Sequence, residues 1–133
     1  MIAIVLVSHS YHVAKGTKDL ADQMSQGRVK ILATGGVDEK NIGTNVENIY
    51  AALKAATAHT EDGVLVLLDL GSAVLSTQMA IEMLSIDEQR RVLISEAPLV
   101  EGAIIASVEA SLGHTLEQVN RAAEAANTMR KLP

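Results

Sequence analysis

The sequence predicts an α/β fold, namely a mostly parallel, open sheet of four or five strands with helices on both faces. The first observation is that four short, strongly apolar runs recur along the chain. The second is that the stretches between these runs have the spacing of amphipathic helices. The third is an aliphatic composition: 48% of the 133 residues are hydrophobic, yet there is no Phe or Trp and only two Tyr. Without linkers or repeats, this length predicts a single domain over residues 1–133.

The expected strands are rich in consecutive Val, Ile and Leu, a pattern typical of strands buried on both faces. They cover residues 2–7, 29–33, 64–68 and 92–95. A fifth strand would be short and would lie at an edge or come from a partner subunit. The strand order does not follow from the sequence, but right-handed crossovers are expected.

The first two helices are expected to follow the first two strands. In the first helix, Val13, Leu20, Ala21 and Met24 share one face, which we expect to point toward the core. The second begins with Thr-Asn-Val-Glu at residues 44–47, which has the spacing of a capping box. The alternation of strand and helix predicts parallel pairing.

Three further helices are expected in the second half of the chain. The first covers residues 73–84, and the next runs from 101 to 112, where Gly113 stops it. The last runs from 115 to 130, and its Thr-Leu-Glu-Gln start at 115–118 is another capping box.

Composition excludes several classes of function. A formal net charge of −5 and the scarcity of aromatic residues argue against a nucleic-acid partner. The lack of cysteine removes disulfides, thiolate catalysis and zinc ribbons. No apolar run is long enough to cross a bilayer and no leader is visible, so the expected location is cytoplasmic, with no membrane partner.

Two polar residues follow strands of the expected sheet. His9 comes just after the first strand, and Asp69 comes directly after the third. Because the carboxyl ends of parallel strands meet at one edge, these side chains are expected to lie close together. A carboxylate can hold an imidazole in one tautomer and leave its other nitrogen free as a nucleophile. A lone histidine at the end of a strand is more often structural than catalytic, and Asp69 can instead cap the next helix.

Loops at the same edge carry groups that suit an anion. Residues 34–44 and 69–73 follow the second and third strands, contain glycines and lead into helices. Helix N-termini offer unpaired N–H groups, so the pattern suggests phosphoryl transfer through phosphohistidine. Ser72 is either a helix N-cap or a hydroxyl donor to phosphate.

Other chemistries fit the residues less well. His9, His12 and Asp69 form an alternative metal site, although His12 would have to turn back from the head of a helix. No G-x-S-x-G string supports a hydrolase, and no GxxxxGK[ST] string supports a nucleotide P-loop.

Four strings together resemble one family: Val7-Ser-His-Ser10, residues 35–38 with 42–44, Asp-Leu-Gly-Ser-Ala at 69–73, and Ala-Pro-Leu-Val-Glu-Gly-Ala at 97–103. The family is the phosphotransfer subunit of phosphoenolpyruvate-dependent dihydroxyacetone kinase, which is similar in fold to mannose-type enzyme IIA of the sugar phosphotransferase system. The resemblance covers essentially the whole chain.

The resemblance implies roles for six residues. His9 would accept the phosphoryl group and Asp69 would hydrogen-bond it, as the catalytic pair. The phosphoryl-binding loops would be lined by the remaining four, which are Gly43, Thr44, Gly71 and Ser72.

The resemblance also implies an enzyme, a phosphotransferase that forms phosphohistidine. The donor would be a histidine-containing phosphocarrier protein, and the acceptor would be ADP on the nucleotide-binding subunit of dihydroxyacetone kinase. The chain itself would bind no cofactor and no metal, because ADP and ATP lie on the partner, and it would form a homodimer. Two alternatives stay open: a mannose-type enzyme IIA that feeds a sugar permease, and a regulatory module in which phosphorylated His9 signals carbon supply.

Partner proteins would need an accessible His9 on a shallow surface. An apolar docking rim around it, or equally a set of loop anchors in the core, is expected from Val37, Ile42, Leu70 and Leu99. The net charge does not specify the docking face, since three lysines could cluster locally; these are Lys15, Lys18 and Lys40.

Overall fold

The computed structural model describes all 133 residues. Its sheet has four strands, β1 (Ala3–Ser8), β2 (Ile31–Gly35), β3 (Val64–Leu68) and β4 (Val92–Ile94). The helices are α1 (Tyr11–Met24), α2 (Val46–His59), α3 (Ala73–Glu82), α4 (Ile86–Arg90), α5 (Leu99–Ser111) and α6 (Leu116–Glu124), followed by a 3₁₀ turn (Ala125–Thr128). No helix is long and apolar enough to cross a membrane.

All strands are parallel, in the order β2-β1-β3-β4. The predicted open sheet is confirmed, with four strands. The connection from β1 leads to β2 on one side of β1, whereas β3 and β4 lie on its other side. The direction in which strands are added therefore reverses between β1 and β3. In such sheets the crevice at the carboxyl ends of these two strands is the usual ligand site. Residues that follow β1 and β3 therefore lie next to each other at this edge.

The apolar runs are explained by two separate cores. On one face of the sheet, side chains such as Ile4, Leu6 and Leu67 pack against α1, α5 and α6. On the other face, side chains such as Val5 and Val66 pack against α2 and α3. Because successive strand residues point to opposite faces, both sets must be apolar.

The expected core face of α1 is wrong for three of its four residues. Val13, Leu20 and Met24 are roughly half exposed, and only Ala21 is buried. Small side chains form the buried face, which consists of Ala14, Thr17 and Ala21. They recur with helical spacing as well, and they let α1 lie close to β2, where Ala14 approaches Gly35.

The prediction of a capping box that begins at Thr44 is wrong, because the N-cap residue of α2 is Asn45. The Asn45 side chain accepts a hydrogen bond from the Asn48 N–H. The helix expected over 73–84 is α3, which ends at Glu82. Helix α4 was not predicted; it begins after Ser85, whose side chain forms a capping box with Glu88.

The last two helices differ from expectation at their ends. Helix α5 begins at Leu99, two residues early, with Pro98 at its N-cap. The Thr115–Gln118 capping box of α6 is confirmed. The helix ends at Glu124, and the chain tightens into the 3₁₀ turn instead of continuing to 130.

Candidate functional site

His9 and Asp69 meet at the carboxyl edge of β1 and β3. In the ladder, Val7 of β1 pairs with Leu68 of β3, and the Asp69 N–H donates to the Val7 carbonyl at 3.1 Å. This register puts the first residues beyond the two strands side by side. The His9 Nδ1 atom lies 2.9 Å from Asp69 Oδ1. The imidazole–carboxylate pair is thus set by strand pairing.

The Asp69 carboxylate is a heavily used acceptor. Its Oδ2 accepts hydrogen bonds from the Ser8 hydroxyl and the His9 backbone N–H, each at 2.9 Å. Its Oδ1 accepts the Leu70 N–H at 2.7 Å in addition to the His9 ring. Partial burial alone raises the pKa of Asp69, but hydrogen bonds from His9 and Ser8 outweigh it and hold that pKa below its ordinary value. The carboxyl is therefore ionised at neutral pH.

An ionised carboxylate has no proton to donate, which assigns the tautomer of neutral His9. Nδ1 must carry the hydrogen in order to bond Asp69, and Nε2 keeps its lone pair. Both side chains remain partly accessible, with exposed fractions of 20% for His9 and 18% for Asp69. The arrangement leaves the Nε2 lone pair free of Asp69, on a side chain that is partly exposed.

Ser72 faces this nitrogen. Its Oγ lies 2.9 Å from His9 Nε2, where the hydroxyl can donate to the lone pair. Ser72 stands at the N-cap position of α3 but makes no side-chain capping bond. The hydroxyl thus contacts the imidazole instead of capping α3, and its donation to a phosphoryl group stays a prediction.

Unpaired backbone donors lie in the loops that follow β1 and β3. The N–H groups of Gly71 and Ser72 just before α3, and of Tyr11 and His12 at the start of α1, make no hydrogen bond to the protein. A Cβ placed on Gly71 would meet nothing within 4 Å, so open space adjoins this loop. Two helix N-termini and free amides form a suitable surrounding for phosphoryl oxygens.

Gly43 and Thr44 lie beside His9, but their polar groups are already engaged. The Gly43 N–H donates to the His9 carbonyl at 2.9 Å. At a φ of 143°, Gly43 has a backbone that other residues rarely adopt. The Thr44 hydroxyl lies 2.7 Å from the Ser76 hydroxyl of α3. Both residues thus support the loop next to His9, and their direct contact with a phosphoryl group stays a prediction.

The surroundings of His9 are shallow. His9 lines none of the five cavities of the molecule. The largest, about 670 Å³, runs along α1 and β2 away from the pair. A groove of about 480 Å³ begins at Asp69 and continues toward the end of β4. His9 thus lies on a shallow part of the surface, where a second protein can reach its imidazole.

The expected docking rim is only partly present. Ile42, Leu70 and Val37 are exposed, by 78%, 58% and 48% respectively. For Leu99 the other expectation holds, because this residue is buried in the core at the start of α5. Lys15 and Lys18 do not form a free positive cluster, since each pairs with an aspartate one helical turn on.

The alternative metal site has no support in the geometry. His12 is exposed at the start of α1, with its ring edge-on to Tyr11. No group of three or more His, Asp or Glu side chains is close enough to hold an ion.

Ser8 is a residue of the site that was not predicted from the sequence. It is 1% exposed at the end of β1, and its hydroxyl contacts Asp69. A serine that ends a wholly apolar strand directly before the histidine was the available signal.

The fold and the site together define an open α/β domain with a histidine–aspartate pair at the point where its strand order reverses. The chain belongs to the enzyme IIA family described as the PTS system fructose IIA component, whose family model matches residues 3–120.

Relatives in this family are named as dihydroxyacetone kinase subunits. The chain is 34% identical over 119 residues to the phosphoryl donor subunit DhaM of PEP-dependent dihydroxyacetone kinase 2 from Listeria innocua, covering 90% of this chain and 94% of that protein. It is 32% identical over 121 residues to the phosphotransferase subunit DhaM of PTS-dependent dihydroxyacetone kinase from Lactococcus lactis, covering 91% and 92%. Identity to the Escherichia coli K12 subunit DhaM is 36% over 122 residues, covering 90% of this chain but a quarter (25%) of that longer protein.

Solved structures share the fold. The crystal structure of the unknown-function protein EF1359 superposes with a TM-score of 0.83 at 34% identity, covering 96% of each chain. A sigma-54 interaction domain protein from Enterococcus faecalis has a TM-score of 0.70 at 17% identity, covering 95% of this chain and 90% of that one. The second likeness concerns the fold alone.

Proposed function

We propose that the protein is the phosphocarrier subunit of a phosphoenolpyruvate-dependent dihydroxyacetone kinase. His9 takes a phosphoryl group from a histidine-containing phosphocarrier protein and passes it to ADP on the nucleotide-binding subunit. The observation that carries the proposal is the orientation of His9, whose Nδ1 is held by Asp69 while Nε2 keeps its lone pair, 2.9 Å from the Ser72 hydroxyl. The names of the relatives support this branch of the family.

The first transfer balances without a net proton change. The Nε2 lone pair of His9 attacks phosphorus, the donor's P–N bond breaks, and its electron pair returns to the donor's imidazole. His9 keeps its Nδ1 hydrogen, and the ring becomes positively charged as the new P–N bond forms. The Asp69 carboxylate, 2.9 Å away, stabilises that charge.

The second transfer runs the chemistry in the other direction. A β-phosphate oxygen of ADP attacks phosphorus, the Nε2–P bond breaks, and the electron pair returns to Nε2. Meanwhile the Ser72 hydroxyl and the free N–H groups of Gly71 and Ser72 stabilise the phosphoryl oxygens. The product is ATP, formed on the partner subunit, which phosphorylates dihydroxyacetone.

The assembly and location follow from the same proposal. We infer a cytoplasmic protein, because phosphoenolpyruvate and ADP are available there. We also infer a homodimer, to which the exposed apolar side chains of α3, Leu75 and Met79, offer surface. Sedimentation equilibrium should give twice the mass of one chain, and a monomer at micromolar concentration would contradict the dimer.

The first experiment tests phosphohistidine. Labelled phosphoenolpyruvate and the general phosphotransferase proteins should place one acid-labile phosphoryl group on the wild type and none on His9→Ala. His12→Ala is the matched control, because His12 lies three residues away, is exposed and does not contact Asp69. Lack of label on the wild type, or label that persists in His9→Ala, would refute the proposal.

A second experiment identifies the acceptor. The alternative function is a mannose-type enzyme IIA of a sugar transporter, which the family description as a fructose IIA component favours. The chemistry at His9 would be the same, and only the acceptor would differ. Label that leaves His9 on addition of the kinase subunit with ADP supports the kinase; label released only to a sugar permease component supports the transporter.

A further inference from the structure

Ser8 occupies an unusual place for a polar side chain. It ends β1, all six residues of which are buried, and it is itself 1% exposed. A buried hydroxyl is costly unless it is hydrogen-bonded. The Ser8 hydroxyl donates to Asp69 Oδ2 at 2.9 Å and accepts the Ser10 N–H at 3.0 Å. Both bonds lie directly against the histidine–aspartate pair.

We propose that Ser8 is a positioning residue whose hydroxyl fixes the Asp69 carboxylate so that Oδ1 faces the Nδ1 hydrogen of His9. This inference rests on the proposed function of His9 as phosphoryl acceptor. Ser8 itself touches no reacting atom, because its bonds go to Asp69 and to the backbone.

The Ser8 hydroxyl restrains the Asp69 carboxylate further than the backbone donors do. Rotation of a carboxylate about its Cβ–Cγ bond is soft, so its plane is set by hydrogen bonds. The backbone N–H groups of His9 and Leu70 hold one oxygen each. The Ser8 hydroxyl adds a second donor on Oδ2, approaching from the end of the strand. With Oδ2 held from two sides, Oδ1 stays directed at the imidazole.

Ser95 provides a matched control inside the same molecule. It follows β4 at the same edge, is 4% exposed, and accepts the N–H of the residue two positions on, Ala97, at 3.1 Å. Ser8 makes the same local contact with Ser10. Only Ser8 also donates to Asp69, so a Ser95→Ala variant reproduces the loss of a buried strand-end hydroxyl without disturbing the pair.

The first test reads the tautomer of His9 directly by ¹⁵N NMR of the unphosphorylated full chain. We expect the Nδ1–H tautomer to dominate in the wild type and in Ser95→Ala. Its fraction should fall in Ser8→Ala, because Oδ2 of the carboxylate then keeps only one of its two donors and the carboxylate is less restrained. An unchanged tautomer fraction in a folded Ser8→Ala protein would overturn the proposal. This outcome is independent of any phosphorylation, so it is distinct from a failure of the proposed function, which is absence of label on the wild type.

The second test uses transfer kinetics from the phosphocarrier protein. Ser8→Ala should lower kcat about tenfold, as loss of one hydrogen bond to a partly buried carboxylate implies, with KM for the donor protein unchanged. In an Asp69→Asn background the same change should cost less than about twofold, because the carboxylate that Ser8 orients is gone. A multiplicative effect in the double variant would indicate a merely structural serine and overturn the proposal.

Discussion

The hydroxyl of Ser72 lies 2.9 Å from Nε2 of His9, on the nitrogen that would carry phosphorus. Since Asp69 holds the proton on Nδ1, the Ser72 hydroxyl must be the donor in this pair. A phosphoryl group on Nε2 would take the position of that hydrogen bond. The hydroxyl then has to rotate, and the nearest new acceptors are the phosphoryl oxygens.

Ser72→Ala should therefore weaken the phosphorylated state more than the resting state. The resting nitrogen loses one neutral hydrogen bond, whereas the phosphoryl group loses a charge-assisted one, which is roughly twice as strong. We expect the acid-labile phosphoryl group to be lost about tenfold faster in Ser72→Ala, as measured by release of labelled phosphate at neutral pH. Ser72→Thr, which keeps the hydroxyl, is the control. Equal lifetimes in wild type and Ser72→Ala would contradict this role.

Asp69→Asn should slow phosphoryl transfer while leaving the fold intact. The amide can still accept the Nδ1 hydrogen, but it provides no negative charge opposite the developing imidazolium. Loss of one such electrostatic contact typically lowers kcat by about a hundredfold. Rapid-quench measurement of label on His9 gives the rate, and circular dichroism checks the fold. Asp19→Asn, on the exposed surface of α1, should transfer normally; a normal rate in Asp69→Asn would remove Asp69 from the mechanism.

Glu88→Gln should remove a pH-dependent part of the stability. Hydrogen bonds from the Ser85 N–H and from Lys54 lower the pKa of Glu88 from 4.5 to about 2. A folded-state pKa below the unfolded value stabilises the protein above pH 4.5, and this contribution is lost as the pH falls toward 2. In urea unfolding, Glu88→Gln should be less stable than the wild type at pH 7, and the difference should shrink in that acidic window. Glu82→Gln, an exposed change on α3, should lack this signature. A difference that stays constant from pH 7 to pH 2.5 would contradict the assignment.

Two glycines should respond to alanine with opposite signs. Gly16 is an exposed position in α1 with no atom within 4 Å of a new Cβ, so Gly16→Ala should stabilise the protein by about 1 kcal/mol. At Gly35 the new Cβ would lie 2.3 Å from the Ser10 carbonyl oxygen. That clash with backbone should destabilise the protein by about 1–3 kcal/mol and displace the turn after His9. The urea midpoints of both variants test these two predictions. A stabilising Gly35→Ala would show that Gly35 and the Ser10 carbonyl are less closely packed than the structure indicates.

The strands and the principal pair could be predicted from sequence because each depends on a one-dimensional signal. Apolar runs mark buried parallel strands, and residues that follow such strands share one edge, which brought His9 to Asp69. The face of α1 could not be read in the same way. Alanine and threonine recur with helical spacing as regularly as Val13, Leu20 and Met24, and the closeness of α1 to β2 selects the smaller set.

The sequence by itself determined the fold class, the four strands and the candidates His9 and Asp69, because local patterns of apolar and polar residues dictate them. Tertiary structure alone decided the strand order, the shift of Thr44 from a helix cap to a partner of Ser76, and the place of Ser8 behind the carboxylate. The physical reason is distance along the chain. Ser8 and Asp69 are 61 residues apart, and only the pairing of β1 with β3 brings a hydroxyl within 2.9 Å of the oxygen it orients.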